Sequence, residues 1–148
     1  RTHFLKNVIL IISLLLLSSC FNENTSHSPF PVQLLHGNSA KIWILSKSSD
    51  SNDPHFSALE NYRKSFTFYS NNTFREQELI HLGSKKGLKG KYKIGKMEKG
   101  TFAILLTYSD NKMLPLNIES ISNSKLKVKR LLDKPTIWEF NSLKPPRL

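Results

Sequence analysis

The side chains best suited to chemistry are scattered along this chain. Glu76 and Glu78 stand two apart in "NNTFREQELIHL", and a strand places such a pair on one face. Paired carboxylates can divide acid and base work, but the same pattern also describes a solvated strand face. That face carries Phe74 and Ile80 as well, so alternation leaves its direction open. Arg75, Gln77 and His81 occupy the other face. Turned inward, Arg75 could grip a ligand carboxylate through its planar fork of donors. His27, His36, His55 and His81 show no metal-ligand spacing. Serines, histidines and aspartates are present without a Gly-x-Ser-x-Gly elbow, and there is no phosphate-cradling glycine loop. No catalytic residue, cofactor or metal is expected, and the chain does not read as an enzyme.

The remaining reactive group is Cys20, the only cysteine, at the end of "VILIISLLLLSSC". Arg1, His3 and Lys6 make the front of this segment basic. Its apolar run is shorter than the about 20 residues that span a bilayer. A basic front, a short apolar middle and a small-residue site make the plan of a secretory signal peptide, residues 1–19. Leu17-Ser18-Ser19-Cys20 further resembles the lipobox of bacterial lipoproteins. The resemblance implies a lipid such as palmitate, carried on the Cys20 sulfur and on the amino group freed by cleavage. Two or three acyl chains hold a protein on a membrane where one binds only marginally. With no second cysteine there is no disulfide framework.

Charge is the other strong feature. Lys and Arg number 22 against 11 Asp and Glu, a formal net charge of +11. Lys89, Lys91 and Lys93 alternate along one segment, and Lys125, Lys127 and Lys129 along another. In a cytoplasmic protein such a balance suggests nucleic acid. An exported, lipid-anchored chain faces an anionic membrane or acidic polymer instead, so no nucleic-acid partner is expected. Two readings of the lysines stay open: a solvated face that discourages aggregation, or contact with an anionic envelope surface.

The elements that must position these groups follow from short apolar runs. Residues 20–38, with Pro29, Pro31 and Gly37, read as the lipidated cysteine and a flexible tether; residues 32–35 could dock as a short strand. Asp53-Pro54 reads as a helix start within a polar loop. Strands are expected at "KIWILSK", "KSFTFYS", "NNTFREQELIHL", "LKGKYKIG", "TFAILLTY", "MLPLNIESI", "NSKLKVKRL" and "TIWEF". A turn at Asn71-Asn72 makes a hairpin of the second and third. Alternation puts Phe66 and Phe68 on one face, then Tyr92, then Phe102, Ile104, Leu106 and Tyr108. Eight short strands joined mostly by tight turns predict an all-β, antiparallel, up-and-down barrel over residues 39–148.

"KIWIL" after Gly37, "FTFYSNNTF", "GLKGKYKI", "ILLTYSDNKMLPLNI" and "NSKLKVK" together resemble the lipocalin-like lipoproteins of Bacteroidetes, over about residues 36–140. The resemblance implies an eight-stranded barrel with an apolar cavity, and Trp43 sealing its closed end. No ligand residue is carried over, because that family keeps its scaffold and varies its interior. Phe66, Phe68, Tyr92, Phe102, Ile104, Leu106, Tyr108 and Trp138 are the candidate interior, as ligand lining or as solid core. The expected function is a lipid-anchored envelope protein, on the outer membrane and facing the periplasm, that binds a small apolar or amphipathic ligand without catalysis. The alternative is an interaction module with a solid core, docking a protein or acidic polymer through its basic outer surface.

Overall fold

A computed structural model describes residues 30–144. The Cys20 lipobox, the signal segment, residues 20–29 of the tether and the last four residues lie outside this range. Eight strands follow one another: β1 (Ala40–Ser48), β2 (Lys64–Tyr69), β3 (Thr73–Glu78), β4 (Leu88–Lys96), β5 (Phe102–Tyr108), β6 (Met113–Ile121), β7 (Lys125–Arg130) and β8 (Thr136–Ser142). Each pairs antiparallel with the next, and β8 pairs with β1, so the sheet closes as a barrel in chain order. This is the all-β up-and-down barrel that the spacing predicts. Closure leaves no strand edge open to another chain.

Local chemistry accounts for the short connections. Asn72 and Asn111 take left-handed backbone angles, with φ of 67° and 69°, a conformation that asparagine tolerates better than most residues. They sit where the β2–β3 and β5–β6 hairpins reverse. Gly90 answers a packing demand: a Cβ there would collide with the Thr107 carbonyl oxygen and come within 2.8 Å of the Phe74 ring. Strand β4 therefore lies close against β5 only because position 90 has no side chain.

The core is the barrel interior. Trp43, Leu45, Ile104, Leu106 and Val128 are fully buried, and Phe66, Phe68, Phe74, Trp138 and Phe140 nearly so. Their rings touch in sequence. Phe66 lies 5.7 Å from Phe140 and 6.4 Å from Phe74, centroid to centroid. Phe68 meets Tyr92 edge-on at 5.0 Å. These spacings are those of packed aromatic pairs, so this level of the barrel is filled by its own side chains.

The barrel's first end, where β1 begins, is closed by a one-turn helix, α1 (Val32–His36). Leu35 is fully buried there, and its carbonyl accepts a hydrogen bond from the Trp43 indole N–H at 2.9 Å. Lys41 lies 4.5 Å over the Trp43 ring and donates to the carbonyls of Leu34 and Asn123. Three local expectations are corrected here. Residues 32–36 form a helix rather than a strand, because Leu35 must turn back to cap Trp43. That stretch of the expected tether also packs on the barrel. After Asp53-Pro54 no helix follows; the chain makes turns until a 3-10 turn at Glu60–Tyr62. The Asp53 carboxylate takes the His55 backbone N–H at 2.9 Å, as a helix cap would, but its other oxygen is drawn into the barrel wall.

Candidate functional site

The connections β1–β2, β3–β4, β5–β6 and β7–β8 all lie at the opposite end, and there the side chains leave an open cup of about 830 Å³. Its lining comes from positions where the inward alternation of each strand continues past the apolar core. Lys64 precedes Phe66 and Phe68 in phase on β2. Glu76 follows Phe74 on β3 and pairs across the strands with Phe66. Tyr108 ends the inward row of β5, and Arg130 ends that of β7 after Leu126 and Val128. Trp138, cross-strand partner of Val128, forms the boundary between core and cup. His55 is brought in by the long β1–β2 connection.

That connection is pinned by the Asp53 carboxylate. One oxygen accepts from the Ser48 hydroxyl and the Trp138 indole N–H, each at 2.7 Å. Burial pushes the Asp53 carboxyl up, but these two bonds and the His55 N–H outweigh it and hold it below the usual range. The His55 ring then stands 5.7 Å from Trp138, edge to face.

Inside the cup the ionisable groups form a chain. The Tyr108 hydroxyl donates to a Glu76 oxygen at 2.7 Å, and the other Glu76 oxygen lies 3.7 Å from Lys64 Nζ. Lys64 Nζ donates to His55 Nδ1 at 3.0 Å; an ammonium has only protons to give, so Nδ1 carries the lone pair. Burial lowers the His55 pKa, and the charges of Lys64 and Arg130 lower it further. Burial, then the Glu76 charge, raises the Tyr108 pKa and keeps its proton in the bond to Glu76. The Arg130 guanidinium lies 5.5 Å over the Trp138 ring. Its Nε is buried without a hydrogen-bond partner. Among the described residues no group of three or more His, Asp or Glu converges as a metal site would require.

The eight expected interior residues divide by depth. Phe66, Phe68, Ile104, Leu106 and Tyr92 belong to the packed core, where the Tyr92 hydroxyl donates to the Tyr69 carbonyl at 2.7 Å. Burial pushes the Tyr92 pKa up to about 12. Phe102 is half-buried toward the first end. Tyr108 and Trp138 reach the cup. Glu76 and Glu78 do not act as a pair: Glu76 points inward, while Glu78 is exposed and meets His81 at 3.6 Å. Arg75 faces outward and donates to the carbonyls of Ser84 and Lys85, at 3.3 and 3.4 Å. Gln77 also faces outward, and binds the carbonyls of His81, Ser84 and Lys86. Both residues therefore tie down the β3–β4 connection. Lys89, Lys91, Lys93, Lys125 and Lys127 are exposed and Lys129 is half-buried. The first three, with Arg75, border a groove of about 820 Å³ against β3–β5.

Sequence reading did not single out His55, Lys64, Leu114 or Arg130 for the cup. For Lys64 and Arg130 the signal was present: each lies one alternation step beyond a buried pair. The placement of His55 rests on the Asp53 contacts, which no spacing shows.

The fold defines a class: an eight-stranded antiparallel barrel, plugged by a helix at one end and open in a polar cup at the other. Comparison with family models, curated proteins and solved structures finds no match for the chain.

Proposed function

We propose that this chain is a lipid-anchored protein of a bacterial cell envelope, held through Cys20, whose barrel binds a small amphipathic ligand at its open end without catalysing a reaction. The observation that carries the reading is the cup, whose about 830 Å³ lies within the range of small-molecule sites. Its lining joins Trp138, Leu114 and Tyr108 to convergent polar and charged groups, and placed polar groups beside apolar surface are what orient a ligand in such sites. The lipobox-like Leu17-Ser18-Ser19-Cys20 and the likeness to lipocalin-like lipoproteins support the anchor and the setting, which we take to be the periplasmic face of the outer membrane. Because Phe66, Phe68 and Leu106 are packed in the core, we place the ligand above them rather than in the interior expected at first.

Native mass spectrometry of the purified protein tests the reading. The expected result is an adduct that organic extraction removes and that rebinds on addition. A protein that carries no adduct and takes up no amphiphile would overturn it. One observation favours a second reading. The ring contacts around Phe66 leave no room at that level, as a solid interaction module requires, and the exposed lysines of β4 and β7 would then be its docking surface.

A further inference from the structure

The cup inverts the usual order of polarity. Its buried wall is charged: the side chains of Lys64, Glu76 and Arg130 are 18%, 12% and 14% exposed. Its rim carries exposed apolar side chains beside Lys89, Asp110 and Lys112: Leu88 is 55%, Met113 59% and Leu132 43% exposed. A hydrocarbon alone would gain little from the depth of such a cup.

The deep charges are not balanced alike. Glu76 is already held by Lys64 and by Tyr108. Besides the Trp138 ring, Arg130 meets the Leu132 carbonyl at 3.3 Å and the Asp133 carboxylate at 3.7 Å. Asp133 is 90% exposed, so water screens that pair and it contributes little. The remaining charges around the cup, on Lys89, Lys112 and Asp110, lie at its edge, and Lys112 and Asp110 answer each other at 3.8 Å. A cation that is mostly removed from water and poorly partnered calls for an anion.

We propose that the ligand of the cup is a singly charged carboxylate amphiphile bound head-first. Its carboxylate meets the Arg130 guanidinium beside Trp138, and its apolar body runs outward past Leu114 to Leu88, Met113 and Leu132. A carboxylate matches the fork of guanidinium donors better than any neutral head group. The inference rests on the ligand-binding reading above and adds the head group, its orientation and the residue that holds it.

Fluorescence titration with pyrenebutyrate and its neutral analogue pyrenebutanol tests it. Wild type is expected to bind the acid at least about tenfold more tightly, the scale of one charge-assisted contact. Arg130→Gln should remove that preference by weakening the acid far more than pyrenebutanol, and a wild-type circular dichroism spectrum reports that the variant is folded. Arg130→Lys should keep part of the preference, having the charge without the fork. Equal binding of both probes by wild type, or a preference that survives in Arg130→Gln, would overturn the head-first assignment and leave the ligand reading standing. Equal weakening of both probes in Arg130→Gln would make Arg130 a support of the cup's shape and also overturn the assignment. Binding of neither probe would overturn both readings.

Discussion

At the scale of single residues, two side chains carry the structural logic. Trp43 is fully buried, and its indole N–H is satisfied by the Leu35 carbonyl, so it joins the helix to the barrel as well as filling space. Trp43→Ala should cost about 3–5 kcal/mol. Chemical denaturation of a fragment beginning before Pro31 would measure this, and an unchanged midpoint would mean that α1 does not close the barrel. His55 is a residue whose ionisation the fold opposes. Its pKa in the folded protein lies below the unfolded value of about 6.5, so over that interval the unfolded chain binds more protons. Stability is then present above about pH 6.5 and is lost as pH falls from there toward the lower folded value. His55→Gln should flatten this slope. Melting temperatures taken from about pH 7 to 5 would reveal the difference between the two proteins.

At the scale of elements, the contact between β4 and β5 depends on a missing side chain. Gly90→Ala would drive a methyl group into the Thr107 carbonyl and the Phe74 ring. A rigid backbone atom cannot step aside, so the strands must part, and a loss of about 1–3 kcal/mol is expected from overpacking. The test is urea unfolding, in which an unchanged midpoint would show that the β4–β5 pairing is looser than its register implies. Strand β5 supplies a companion test. Leu106 is fully buried, with Tyr92 and Leu114 as its cross-strand partners. Leu106→Trp should also cost about 1–3 kcal/mol. A variant that unfolds like wild type would reveal spare volume in the interior and return the deep barrel to consideration as a ligand cavity.

At the scale of the whole molecule, the anchor and the barrel divide the work that we propose. Cys20 is the only thiol, so Cys20→Ser should abolish lipid attachment without altering the barrel. Metabolic labelling with an alkyne-tagged palmitate would show label on wild type alone; label persisting on the variant would end the lipoprotein reading. The barrel's two ends also differ in kind. One is sealed by Leu35 over Trp43; the other is a cup beside which the β1–β2 connection is held by the Asp53 contacts to Ser48 and Trp138.

What the sequence determined by itself was the set of strands and the faces within each. Alternation of period two is a local property, visible in Phe66–Phe68, Ile104–Leu106 and Leu126–Val128 without knowledge of any partner. The hairpin turn at Asn72 was legible for the same reason, since its backbone preference is carried by the residue itself. The direction of Glu76 was not legible, because "FREQE" alternates equally well either way; pairing with β2 sets it, by placing Glu76 opposite Phe66. Nor could the cup be read. His55, Lys64, Glu76, Tyr108, Arg130 and Trp138 come from six separate segments, and only closure of β8 onto β1 brings the last of them beside the first. The short helix at residues 32–36 belongs with these. Its five residues are too few to be stable alone, so its form is decided by the buried place for Leu35 over Trp43 and not by its own propensity. Local chemistry chose the strands, and long-range register decided which charged ends of those strands would share one space.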